Sequence, residues 1–217
     1  MNKKNIKVTF FGDSICVGAG VSVHEGWVSL VAQQLQKKYS NLIVSNSSVN
    51  GRTTRQALTN MPYEIQEHPP HILIVQFGMN DCNYWDSDGG HPRVSINSFK
   101  SNLNEIIDRA FCYCGVEYIC VNTNHPTCRT GPILSFTNFT YQDSNEKYNN
   151  AIREVVNKKN NSRIVLCDVE AHFKERISVL APYVLEEPDL LHLSQKGHIE
   201  YYNFIYPTLK EMVDNVA

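Results

Sequence analysis

Four short stretches hold the side chains able to carry covalent chemistry: Gly12-Asp13-Ser14, Asn50-Gly51-Arg52, Gly78-Met79-Asn80-Asp81 and Asp189-Leu190-Leu191-His192. A serine hydroxyl is a weak nucleophile until a base takes its proton. That base is usually a histidine, itself oriented by a carboxylate. The segment EEPDLLHLSQKGH places Asp189 three residues before His192, a spacing that lets the carboxylate fold back beside the imidazole. Ser14 then reads as nucleophile, His192 as base and Asp189 as orienting acid. Attack on an ester carbonyl builds an oxyanion. The backbone N–H groups of Ser14 and Gly51 and the side-chain amide of Asn80 are the candidate donors to it. One such donor is typically worth ~3 to 4 kcal/mol of barrier, and glycine at 51 lets the backbone come close.

These stretches matter only if the fold brings them together. Apolar runs over 6–11, 42–49, 71–77, 116–122 and 163–169 read as strands. The run HILIVQF at 71–77 has no polar alternation, as expected of a strand buried on both faces. Between the strands, 26–39, 53–66, 96–111 and 143–159 read as helices on apolar spacing. A last helix runs from an N-cap at Ser194 to about Val213. Alternating strands and helices predict a parallel sheet with helices on both faces. In such sheets ligands bind beyond the carboxyl ends of the strands. The first three stretches follow the first three strands, so all three fall on one sheet edge.

Other readings compete. GAG at 18–20 suggests a dinucleotide loop but lacks the third glycine of that fingerprint. Cys112, Cys114, Cys120, Cys128 and His125 include no CxxC pair, so no metal site is expected. Asp13 and Asp81 read as structural carboxylates beside the site. Among the other histidines, His68 and His71 fall at the wrong sheet edge, His198 inside the last helix faces elsewhere, and His24, His91 and His125 sit in loops. Asp168, ending the fifth strand, is a weaker alternative to Asp189. Two loops, 80–95 and 123–142, are longer than a connection needs, which marks binding loops. They supply Tyr84, Trp85, Asn124 and His125 as candidate substrate contacts. Trp27 fits the apolar helical face and reads as core.

Composition bounds the rest. The chain has 217 residues, 42% of them hydrophobic, and a formal net charge of −2. That suits a single domain over 1–217. With no basic excess, no nucleic-acid partner is expected, and no apolar run reaches the ~18–20 residues of a membrane helix. The start MNKKNIKVTFF is basic then apolar, but its apolar run is too short for a secretory leader. Seven cysteines, an odd number, then suit free thiols and a cytoplasmic location.

The ordered set GDS at 12–14, Gly51, GMND at 78–81 and DLLH at 189–192 resembles the four blocks of the SGNH hydrolases, the GDSL esterase/lipase family. Gly18, Gly20 and the tail HLSQKGH are also similar. Ile15, Leu193 and Met79 depart from the usual residues without removing a reacting group. The resemblance implies an α/β class protein: a three-layer α/β/α sandwich on a five-stranded parallel sheet, flavodoxin-like. It implies Ser14, His192 and Asp189 as catalytic residues, Ser14, Gly51 and Asn80 as the oxyanion hole, and no cofactor. The expected substrate is a small-molecule ester, leaning towards a short acyl group on a polar alcohol such as a sugar. A lysophospholipase, thioesterase or acyltransferase on the same site is the alternative, and a non-catalytic binding protein the alternative of another class. Oligomeric state is left open.

Overall fold

The computed structural model describes residues 5–217; the basic lead-in at 1–4 lies outside the described residues. Five strands, β1 (Ile6–Gly12), β2 (Leu42–Asn46), β3 (Ile72–Gln76), β4 (Tyr118–Asn122) and β5 (Ile164–Cys167), form one parallel sheet in the order β2-β1-β3-β4-β5. β3 sits at the centre and is buried at every position, which is why its run shows no alternation. At the edge, β2 has only Leu42 buried and ends at Asn46 rather than 49. There Ser47 N–H reaches back to the Phe10 carbonyl and Val49 N–H to the Gly12 carbonyl, folding the chain against the end of β1.

Seven α-helices are described: α1 (Ser14–Val17), α2 (Trp27–Lys38), α3 (Thr54–Met61), α4 (Ile96–Asp108), α5 (Tyr141–Lys159), α6 (Val169–Arg176) and α7 (Gln195–Val216). α3 packs on α4 and α4 on α5, while α2 and α6 both pack on α7, giving one helical layer on each face of the sheet. This is the arrangement that right-handed crossovers dictate for this strand order. The ends of α3 and α4 relax into π-helical turns at Pro62–Gln66 and Arg109–Tyr113, so the expected helices to 66 and 111 hold in extent but not in winding. Ser194 caps α7 by accepting from Gly197 N–H at 3.2 Å. α6 was not expected. Residues 163–169 read as one strand, but Asp168 ends the strand and caps the new helix through Ala171 N–H at 3.1 Å.

Trp27 ties the core to the site. Its ring is fully buried, stacked on Tyr201 at 4.4 Å and edge-on to Phe10 at 5.3 Å. Its indole N–H donates to the Ile15 carbonyl at 2.9 Å, which fixes α1 against α2. In this strand order the direction of winding reverses between β1 and β3. The region beyond their carboxyl ends is where a doubly wound sheet binds its ligands.

Candidate active site

Ser14 opens α1 directly after β1. Asp13 caps this turn, its Oδ1 accepting from Ile15 N–H at 3.0 Å, and Gly18 closes it with an N–H to the Ser14 carbonyl at 3.0 Å. Ser14 is 6% exposed. His192 Nε2 lies 2.9 Å from Ser14 Oγ, and His192 Nδ1 lies 2.7 Å from Asp189 Oδ2. The second contact assigns the proton: an ionised carboxylate only accepts, so Nδ1 carries the hydrogen and Nε2 is left as acceptor for the serine hydroxyl.

The Asp189 turn is built to hold this geometry. Asp189 Oδ1 accepts from Leu191 N–H at 2.9 Å and His192 N–H at 2.6 Å. Leu190 takes a left-handed φ of 55°, sparsely populated for a branched residue. Outside contacts hold it there: Arg129 Nε donates to the Asp189 carbonyl at 2.6 Å and Cys128 N–H to the Leu190 carbonyl at 2.9 Å. Burial opposes ionisation of Asp189. The His192 imidazole and the two backbone N–H groups outweigh it and hold the carboxyl below its ordinary range.

The other two stretches meet this edge from either side. Gly51 has a φ of 75° and space around it, so glycine serves the backbone conformation rather than a close approach. Next to it, the buried Arg52 braces the turn, donating to the Ser47 carbonyl at 2.9 Å and to both Glu64 oxygens at 2.6 and 2.7 Å. Gly78 has a φ of 131°, and a Cβ there would sit 2.4 Å from Asn124 Nδ2, so the backbone can turn into GMND only with glycine. Asn80 Nδ2 is buried and faces the Asp13 carboxyl, and no other acceptor among the described residues comes within hydrogen-bond distance. An amide nitrogen carries two hydrogens, so one remains for a ligand.

Asp13 and Asp81 sit beneath these groups. Asp81 accepts from Thr54 N–H at 2.9 Å and the Thr54 hydroxyl at 2.5 Å, pinning the start of α3 to the GMND turn. Burial lifts its pKa to about 6 despite those bonds. Burial, reinforced by the Asp81 charge, lifts Asp13 to about 7. Between about pH 4 and 7 the unfolded chain therefore releases a proton that folded Asp13 keeps, and stability falls as pH rises through that window. Asp13→Asn retains an Oδ1 for the Ile15 N–H and removes the ionisation. Between pH 5 and 8 the variant should lose less stability than the parent, by on the order of 1–2 kcal/mol. Urea unfolding at both pH values checks this, and equal losses would contradict it.

The four loop residues expected to touch substrate divide in two. Trp85 is 50% exposed, with the Arg93 guanidinium over its ring at 4.3 Å. It lines a cavity of about 400 Å³ with Arg55, Asp88, His91, Pro92 and Arg93. Tyr84 is half-buried, edge-on to Phe139 at 5.8 Å. Asn124 and His125, by contrast, are buried. Asn124 takes Gln76 Nε2 on its side-chain oxygen at 3.0 Å, and its backbone pairs with the Asn149 amide. His125 Nδ1 bonds the Pro126 carbonyl at 2.7 Å, and burial pushes its pKa down to about 4, so the ring is neutral. The strand beneath them ends in polar residues whose partners are other buried side chains, a demand that loop composition does not reveal.

The remaining candidates lie elsewhere. His71 Nδ1 accepts from Lys7 N–H at the opposite sheet edge. His198 accepts from Trp27 N–H at 3.3 Å, and burial holds it neutral, with a pKa of about 4. Asp168 is engaged by Arg153 at 2.7 Å and Thr123 at 3.0 Å. Arg52, Arg93 and Arg129 carry no sequence signal beyond being basic residues in the flagged loops or beside Gly51.

The model of the GDSL-like lipase/acylhydrolase family matches residues 10–198. An arylesterase of Vibrio mimicus is 29% identical over 101 residues, 46% of each chain. A thioesterase 1/protease 1/lysophospholipase L1 of Escherichia coli is 34% identical over 70 residues, 32% of each chain. The chain thus spans under half the length of these curated relatives. Among solved structures, a lipase/acylhydrolase from Enterococcus faecalis superposes with a TM-score of 0.75 at 21% identity, covering 95% of this chain and 96% of that one. Axe2, an acetylxylan esterase from Geobacillus stearothermophilus, superposes with a TM-score of 0.74 at 20% identity, covering 98% and 96%. Those two share the fold. A family match that begins inside β1 and runs into α7 takes in all four stretches from which the site is built, and the chain belongs to the GDSL-like lipase/acylhydrolase family.

Proposed function

We propose that this chain is a single-domain serine ester hydrolase. The observation that carries the reading is the continuous relay Asp189–His192–Ser14, with contacts of 2.7 and 2.9 Å. His192 Nε2 takes the hydroxyl proton as Ser14 Oγ attacks the ester carbonyl. The backbone N–H groups of Ser14 and Gly51 and the Asn80 amide receive the oxyanion. The tetrahedral intermediate collapses, the C–O bond to the alcohol breaks, and His192 returns its proton to the leaving oxygen. Water, deprotonated by the same histidine, attacks the acyl-enzyme and releases the acid. The chain's own side chains suffice for each step without a cofactor. Free thiols at all seven cysteines suit a cytoplasmic setting, and no helix among the described residues is long and apolar enough to cross a membrane.

The substrate we favour carries a short acyl group on a polar alcohol. A cavity of about 620 Å³ beside the Asp189 turn is bounded by the polar Asn83, Arg129, Thr130 and Glu187 and by an apolar wall that includes Pro132, Ile133, Tyr141, Pro188 and Leu190. Its polar groups suit a polar alcohol, and its apolar wall a short acyl group. The acetylxylan esterase named above points the same way, whereas the lysophospholipase and arylesterase relatives stand for the longer-chain and aromatic alternatives. Rates on p-nitrophenyl acetate, butyrate and octanoate separate them. We expect acetate or butyrate to be turned over fastest, and a clear octanoate preference would overturn the substrate reading. Transfer of the acyl group to an added sugar, faster than to water, would make the protein an acyltransferase instead.

A further inference from the structure

The loop that follows the GMND turn folds back on itself. Tyr84 pairs with Pro92 across an antiparallel bridge, Arg93 N–H donates to the Asn83 carbonyl at 2.9 Å, and Val94 N–H donates to the Asp81 carbonyl at 3.2 Å. These contacts return the chain to its starting point and present the half-buried Arg93 side chain to the candidate oxyanion hole. One nitrogen of its guanidinium, Nη1, reaches both sides of that hole: the Gly51 carbonyl at 3.1 Å and Asn80 Oδ1 at 3.5 Å. The nitrogen has two hydrogens, one for each acceptor. The guanidinium plane rests on Trp85 at 4.3 Å, which limits its freedom.

An asparagine amide has two ends of nearly equal size, one accepting and one donating. Which end faces the reacting carbonyl decides whether an oxyanion is stabilised or repelled. Arginine has only donors, so it accepts Oδ1 as a neighbour and rejects Nδ2. With Oδ1 held by Arg93, Nδ2 turns to the other side, where it is buried and faces the Asp13 carboxyl at the end of β1; its second hydrogen is the one available to an oxyanion. We propose that Arg93 is a positioning residue: it orients the Asn80 amide and ties it to the Gly51 turn, so that both face the carbonyl attacked by Ser14. The proposal rests on the serine-hydrolase reading. It assigns a role to a residue that never touches the substrate's reacting atoms.

A double-mutant cycle tests it, using p-nitrophenyl acetate as substrate and Ser14→Ala as control. Asn80→Ala should lower kcat by ~10²–10³, as loss of one oxyanion donor does. Arg93→Ala should lower kcat by about tenfold or more, with KM within about threefold. It should cost little once residue 80 is alanine, because the amide it orients is gone. Arg93→Lys keeps the charge but not the two-hydrogen nitrogen on a rigid plane, and should recover only part of the rate. Arg93→Met, which keeps length and apolar cover on Trp85, should repeat the alanine result if that variant is poorly folded. Additive effects of the two alanine substitutions would overturn the proposal while leaving a Ser14-dependent hydrolase in place. So would full activity in Arg93→Lys, since charge alone would then account for the effect. Equal turnover by the parent and Ser14→Ala would overturn the hydrolase reading and this proposal with it.

Discussion

Ser14→Ala should lower kcat by ~10⁴–10⁶ while leaving the fold intact, since loss of the nucleophile removes the acyl-enzyme route altogether. Stability should survive because the contacts that shape this turn are made by other groups. Asp13 caps Ile15 N–H, the Ser14 carbonyl accepts from Gly18 N–H, and the Ile15 carbonyl accepts from the Trp27 indole. None involves the Ser14 hydroxyl, which bonds His192 Nε2. Ester turnover and thermal unfolding of the two proteins side by side check both halves. Retained activity in a folded variant would remove Ser14 from the reaction.

Asp189→Asn should cost about 10⁴ in kcat by a different route. The amide oxygen can still take the N–H groups of Leu191 and His192, which Asp189 Oδ1 now accepts at 2.9 and 2.6 Å. The turn therefore keeps its shape. At the Oδ2 position, however, the variant offers an NH₂ donor. His192 must then present Nδ1 as an acceptor, which moves its proton to Nε2 and leaves no base facing Ser14. The expected signature is a collapse of kcat with little change in KM or unfolding midpoint. A loss of less than about tenfold would mean that the imidazole does not depend on this carboxylate for its tautomer.

The parts of this protein legible in its sequence are those in which one physical demand dominates. A strand buried on both faces is nearly all apolar, so β3 is legible at once, whereas β1 carries the exposed Lys7 and the polar Thr9 within its apolar run. A glycine after a strand on a doubly wound sheet points to the ligand edge, so Ser14, Gly51 and Asn80 could be placed together before any coordinates. The Asp189–His192 spacing gave the last partner. α6 was missed because Val169–Arg176 is short and mostly polar, with no apolar stripe to give it a helical period. Asn124 and His125 read as candidate substrate contacts because they fall in a long loop, and long loops often bind ligands. They are buried because the polar end of β3 requires partners: Gln76 needs the Asn124 side chain, and Asn124 in turn needs Asn149. Arg93 and Arg129 act across long sequence separations, donating to carbonyls 42 and 60 residues away, and Arg52 braces its own turn through Ser47 and Glu64. No local pattern in a chain of near-neutral charge singles such residues out.

The acyl-enzyme itself gives the most direct test of the central claim. The protein would be mixed with p-nitrophenyl acetate, quenched in acid within the first turnover, digested, and mapped by mass spectrometry. The mechanism predicts one acetyl group, carried on the peptide that contains Ser14, at an occupancy that rises with the burst of p-nitrophenol and vanishes in Ser14→Ala. Turnover with no acetyl on Ser14, or with the acetyl on another residue at the same rate as the burst, would contradict it.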